Sequence, residues 1–131
     1  MAVEENDGAD LTSEIRRAAV AMTESLAAVR NAQLKEDQRE LRTRAFYRTW
    51  DTGRVVFLCN RRYVLTTSWF WKQLLECKEQ PKDFRNLIDI VAGFTESTQT
   101  ELVNATEELW LETIMMVRAR GVSIESTDII V

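Results

Sequence analysis

A chain of 131 residues, 45% hydrophobic and 29% charged with a formal net charge of −4, fits one globular domain with a single modest core. It contains no histidine, which excludes His-based metal sites and Ser-His or Cys-His catalysis. Only 4 Gly and 1 Pro punctuate it, which favours long helices over a many-turned sheet, so the expected fold is an all-α compact bundle.

The charge is unevenly spread. Residues 1–29 carry 2 basic and 6 acidic side chains, residues 30–62 carry 9 and 4, and residues 63–131 carry 6 and 11. A basic middle between acidic flanks suits an acidic partner, although i,i+4 pairs on a solvated helix face account for such a pattern equally well. Cys59 and Cys77, without CxxC spacing, read as buried thiols in a reducing compartment. The acidic N-terminus is unlike a signal or transit peptide. Asn60-Arg61-Arg62 interrupts the longest apolar stretch and Ile129-Ile130-Val131 is short, so no integral membrane segment is expected.

In chain order, residues 1–10 read as a flexible acidic N-terminus, residues 11–121 as a single helical domain and residues 122–131 as a C-terminal tail. Thr12 or Ser13 is placed to cap a first helix with Glu14 in its first turn. Ile15, Ala19, Met22, Leu26 and Val29 form one apolar face, and the pattern fades at Gln33–Gln38. A second helix, about 37–50, carries Leu41, Ala45, Phe46 and Trp50, and Asp51-Thr52-Gly53 punctuates it. A central hydrophobic helix is expected near residues 53–75, apolar on nearly all sides and therefore buried in the bundle. Val55–Cys59 and Tyr63–Phe70 are also rich in β-formers, and Asn60-Arg61-Arg62 could turn a hairpin. Pro81 starts a new element with Phe84, Leu87, Ile88, Val91 and Phe94 at helical spacing. One or two further helices follow, ended by Gly121.

The stretch 51–58 carries the functional reading. Gly53 offers a bare backbone for close approach, and Arg54 a fork for a carboxylate. Phe46, Tyr47 and Trp50 sit upstream. Together they could wall a groove for an amphipathic helix with one acidic residue. A solvent-facing arginine at a helix start, a turn glycine and packed core aromatics are the plainer reading of the same residues.

Asp51-Thr52-Gly53-Arg54-Val55-Val56-Phe57-Leu58 resembles the first homology motif of the B-cell lymphoma 2 (Bcl) family of apoptosis regulators in its viral form. Ile90–Glu96 resembles that family's sixth helix, and Trp110 the tryptophan of its second motif. The resemblance implies a non-enzymatic inhibitor of apoptosis that captures Bcl-homology-3 helices of pro-death host proteins. The implied groove consists of Leu41, Phe46, Tyr47, Asp51, Gly53, Arg54, Val56 and Phe57, with Arg54 pairing the ligand's acid. It also implies no cofactor, no metal and no nucleic acid. The setting would be the host cytoplasm, with mitochondria reached through partners, and a homodimer could complete the shortened front of the fold. A histone-fold-like nuclear protein, suggested by Ala119–Ile124 and Asp128-Ile129, and a small RNA-binding helical protein using Arg39–Arg62 are the alternatives. Nothing in the sequence arranges a nucleophile with a base.

Overall fold

A computed structural model describes residues 2–4, 11–64 and 69–124. Among these the fold is all-α, with five helices and one small two-stranded ribbon. Among the described residues no helix is long and apolar enough to cross a membrane.

Helix α1, Thr12–Leu34, starts without a side-chain cap, Leu11 taking the N-cap position in place of the expected Thr12 or Ser13. Its apolar face is the one the spacing predicts: Ile15, Ala19, Met22, Leu26 and Val29 are all buried. The helix ends in a short turn in which Glu36 takes a left-handed φ of 54°. Asp37 then caps α2, accepting from the Glu40 N–H at 3.0 Å. The two helices form an antiparallel hairpin: Arg48 of α2 bonds Ser25 of α1, and Tyr63, just past the end of α2, reaches Glu14 near the start of α1.

Helix α2, Gln38–Cys59, departs most from expectation. It runs unbroken through Asp51-Thr52-Gly53, so neither the break there nor a central helix over 53–75 exists. Tertiary packing overrides the capping-type sequence. Thr52 is fully buried, and Gly53 lies under α3, Phe70–Leu75. A Cβ at Gly53 would stand 2.5 Å from Phe70 Cζ and 3.3 Å from Leu74 Cδ2. The glycine makes room for the chain's own aromatic ring.

Asn60-Arg61-Arg62 does turn the chain, with Arg61 at φ 57°, but Val55–Cys59 stays helical. Strand β2, Arg62–Val64, pairs instead with strand β1, Ala2–Glu4, antiparallel with Val3 opposite Tyr63. The N-terminal stretch expected to be flexible therefore supplies a strand, while residues 5–10 lie outside the described residues.

Beyond α3, Asn60 clamps the linker: its Nδ2 donates to the Glu79 carbonyl, and its Oδ1 accepts from the Glu79 N–H at 2.9 Å. Helix α4, Phe84–Val91, buries Phe84, Leu87, Ile88 and Val91. A single helix α5, Gln99–Ala119, follows, opened by a capping box of Thr98 and Glu101. Gly121, at φ 86°, turns the chain out of it. Val122 and Ile124 fold back into the core; the remainder of the predicted tail, 125–131, lies outside the described residues.

The interior consists of two apolar clusters. One joins Val29, Leu41, Val56, Phe57 and Phe70 with α4 and the first half of α5. The other joins Ile15, Met22, Val55, Leu58, Ile114, Val117 and Ile124. Along the helices the changeover falls at buried polar side chains, Thr23 on α1, Arg48 and Thr49 on α2 and Thr113 on α5. Trp110 Nε1 donates to Thr23 Oγ1 at 2.8 Å, joining α5 to α1 at that level.

Candidate functional site

Helix α2 carries Trp50, Arg54, Phe57 and Leu58 at helical spacing, so all four turn toward the edge it shares with α1 and β2. A cleft of about 380 Å³ opens there, lined also by Glu14 from α1, Arg62 and Tyr63 from β2 and Phe70 from α3. The backbone turn at Asn60–Arg61 brings β2 back across the end of α2. Tyr63 then reaches α1, its hydroxyl donating to Glu14 Oε2 at 2.8 Å.

The cleft has an apolar wall and a charged rim. Phe57 and Phe70 are buried and meet edge to face with centroids 5.6 Å apart. Trp50 lies 4.2 Å from Phe70, centroid to centroid. Arg54 is exposed at the mouth. Such a concave site, mostly apolar with a few convergent polar groups, is the usual form of a small-ligand pocket. A second depression of about 280 Å³ adjoins it and shares Arg62; Arg61, Lys78, Glu79 and Arg120 stand around it, with Cys59 at its base. Arg120 and Glu79 form an ion pair. Burial pushes the Cys59 thiol up from 9.0 to about 11, so it stays protonated and is no nucleophile at neutral pH.

The residues expected to line a helix-binding groove do not form one. Leu41 and Val56 are core residues, and Gly53 is covered by Phe70. Phe46 is half-buried against Trp50 and Trp71, whereas Tyr47 is 56% exposed. Asp51 is half-buried on α2, its carboxyl held above the usual range by burial, against the opposing pull of a Ser25 hydrogen bond and of Arg48 and Arg54. Only Arg54 and Phe57 of the set meet at the cleft. The place that a ligand helix would occupy over Gly53 is filled by α3. The sequence reading missed Glu14, Leu58, Arg62, Tyr63 and Phe70 as cleft residues, while it did name Trp50 among the residues that could wall a groove. The Arg61-Arg62 pair beside Tyr63 was a usable local signal, but nothing local foretells the contact between Glu14 and Tyr63, 49 residues apart.

Among the described residues, fold and cleft together define an all-α domain with a cleft of mixed apolar and charged lining. The family described as the KNTase C-terminal domain matches residues 2–123. The chain belongs to that family, whose helical domains are associated with nucleotidyltransferases. No curated protein and no solved structure matches it. The resemblance to the Bcl family is thereby overturned, and with it the reading as an apoptosis inhibitor that sequesters Bcl-homology-3 helices. The histone-fold and RNA-binding alternatives gain no support either. The physical reason is the unbroken α2: Gly53-Arg54 matches a short motif in letters, but these residues sit mid-helix rather than at a helix mouth.

Proposed function

We propose that this domain is the non-transferring module of a nucleotidyltransferase and holds the acceptor of the transfer in the cleft between α1, α2 and β2. The observation that carries this is the convergence of Arg54, Arg62, Tyr63 and Glu14 on one apolar cleft, in a chain of a nucleotidyltransferase-associated family. Phosphoryl-type transfer is mostly a matter of positioning and charge stabilisation. A rigid helical module that orients the acceptor supplies the first of these. The metal and the nucleotide phosphates belong to the partner module.

The test is a transfer assay with α-labelled nucleoside triphosphates and Mg²⁺. The chain alone is expected to transfer no label to small hydroxyl acceptors. Joined to a nucleotidyltransferase catalytic module of the same family, it is expected to support transfer, and Arg54→Gln to raise the acceptor KM more than it lowers kcat. Label transfer by the chain alone would contradict this division of labour.

A further inference from the structure

We infer that the seam between α1 and α2 is a binding site for one ordered water molecule, held by Arg48 Nε and Nη2 and by Thr52 Oγ1. The site lies in the core, apart from the cleft, and stands independently of the proposed function. On α2 the buried stripe Leu41, Ala45, Arg48, Thr52, Val55 and Cys59 advances by alternating steps of four and three residues, the spacing of one helix face. Arg48 and Thr52 interrupt its apolar run. They are one turn apart, hence neighbours on that face, and both are 0% exposed.

Arg48 engages one nitrogen with α1: Nη1 donates to the Met22 carbonyl and, at 2.8 Å, to Ser25 Oγ. Nε and Nη2 bond no protein atom, and together they are an edge of the guanidinium that grips an acceptor by two parallel bonds. Thr52 gives an independent sign. A threonine hydroxyl inside a helix has a ready partner in the carbonyl one turn back. The other buried threonines among the described residues take it: Thr23 donates to Ala19, Thr49 to Phe46, Thr106 to Leu102 and Thr113 to Leu109. Thr52 Oγ1 bonds no protein atom, although the Arg48 carbonyl stands one turn back. Three open polar atoms on one turn of a buried face are more than a folded interior leaves unpaired, and about three hydrogen bonds is what a buried water makes. A neutral occupant suits the site better than an anion. Asp51 already favours the charged guanidinium of Arg48, while its own carboxyl bonds Ser25, so a second anion would meet that carboxylate. Water accepts from Nε and Nη2, donates to Thr52 Oγ1 and adds no charge.

A crystal structure of the full chain, grown with bromide as the only halide and at a resolution that shows ordered water, tests this. The expected map holds one peak about 2.7–3.2 Å from Nε, Nη2 and Thr52 Oγ1, with no anomalous signal at the bromine edge. In solution, water-oxygen relaxation dispersion counts long-lived internal waters, and Arg48→Met should lower that count by one with circular dichroism unchanged. Should Arg48→Met fold poorly, the wild-type map decides by itself. An anomalous peak at the site would make it an anion site and overturn the inference. So would a map in which Nε and Nη2 bond a protein acceptor such as the Asp51 carboxylate, a dry seam, or an unchanged water count in a folded Arg48→Met.

Discussion

Arg48 is the bulkiest of the fully buried side chains. Its Nη1 donates to the Met22 carbonyl and to Ser25 Oγ, while Nε and Nη2 have no partner. Burial pushes its pKa from 12.5 down to about 10, against the pull of Asp51. A buried guanidinium left partly unpaired costs more than an apolar side chain of its length. Arg48→Met is therefore expected to stabilise the domain by ~1–3 kcal/mol in urea unfolding; a loss of stability would show the two bonds to α1 to be worth more than the desolvation. Gly53 makes a prediction of opposite sign to helix propensity. At an open helix position Gly→Ala gains stability, but a Cβ here meets Phe70 Cζ at 2.5 Å. Gly53→Ala should cost ~1–3 kcal/mol by overpacking, and a gain would mean that Phe70 is free to move aside. Asp51 gives a pH signature. Its folded-state pKa is raised above 3.8, so the folded chain holds the proton more tightly. Stability then falls as pH climbs from about 3.8 through the folded value. Asp51→Asn removes that part of the decline, which unfolding curves between acid and neutral pH measure directly.

At the scale of elements, helices with a clear period were legible and the division of the middle was not. The faces of α1, α4 and α5 could be read because one side of each is apolar, although of the three only α5 opens on a side-chain cap. Thr98 and Glu101 close both halves of a capping box, so Thr98→Ala should cost about 0.5–2 kcal/mol, seen as a lower urea midpoint; an unchanged midpoint would show that packing alone fixes the start of α5. Residues 51–53 misled because Asp, Thr and Gly favour helix ends when only neighbours in sequence are considered. What decides there is Phe70, which arrives from α3, beyond β2, and takes the space a side chain at 53 would fill. The strand pairing was hidden for the same reason: β1 and β2 are 3 residues each and about 60 positions apart. The β-forming character of the region around Tyr63 was real, but its partner was the other end of the chain.

The whole molecule joins two apolar clusters across buried polar side chains, and the cleft lies where α2, β2 and α1 meet. Both thiols sit inside this packing: Cys59 and Cys77 are buried, and burial raises the pKa of each. At mildly alkaline pH neither should react with a disulfide reagent until the domain unfolds. Rapid labelling of the native chain would mean that the end of α2 opens readily. Of the cleft, Arg54 was legible as a cation with no packing duty, while its neighbours were supplied by tertiary contacts that no periodicity encodes. The family is associated with nucleotidyltransferases, and the cleft is where we propose that the acceptor is held. The most direct test is a heteronuclear NMR map of the chain titrated with a small aromatic hydroxyl compound such as benzyl alcohol. Shifts are expected only at the Trp50 indole N–H, the Arg54 and Arg62 guanidiniums and the backbone near Glu14 and Tyr63. Shifts centred on the exposed aromatics Tyr47 and Phe94, or none at all, would contradict it.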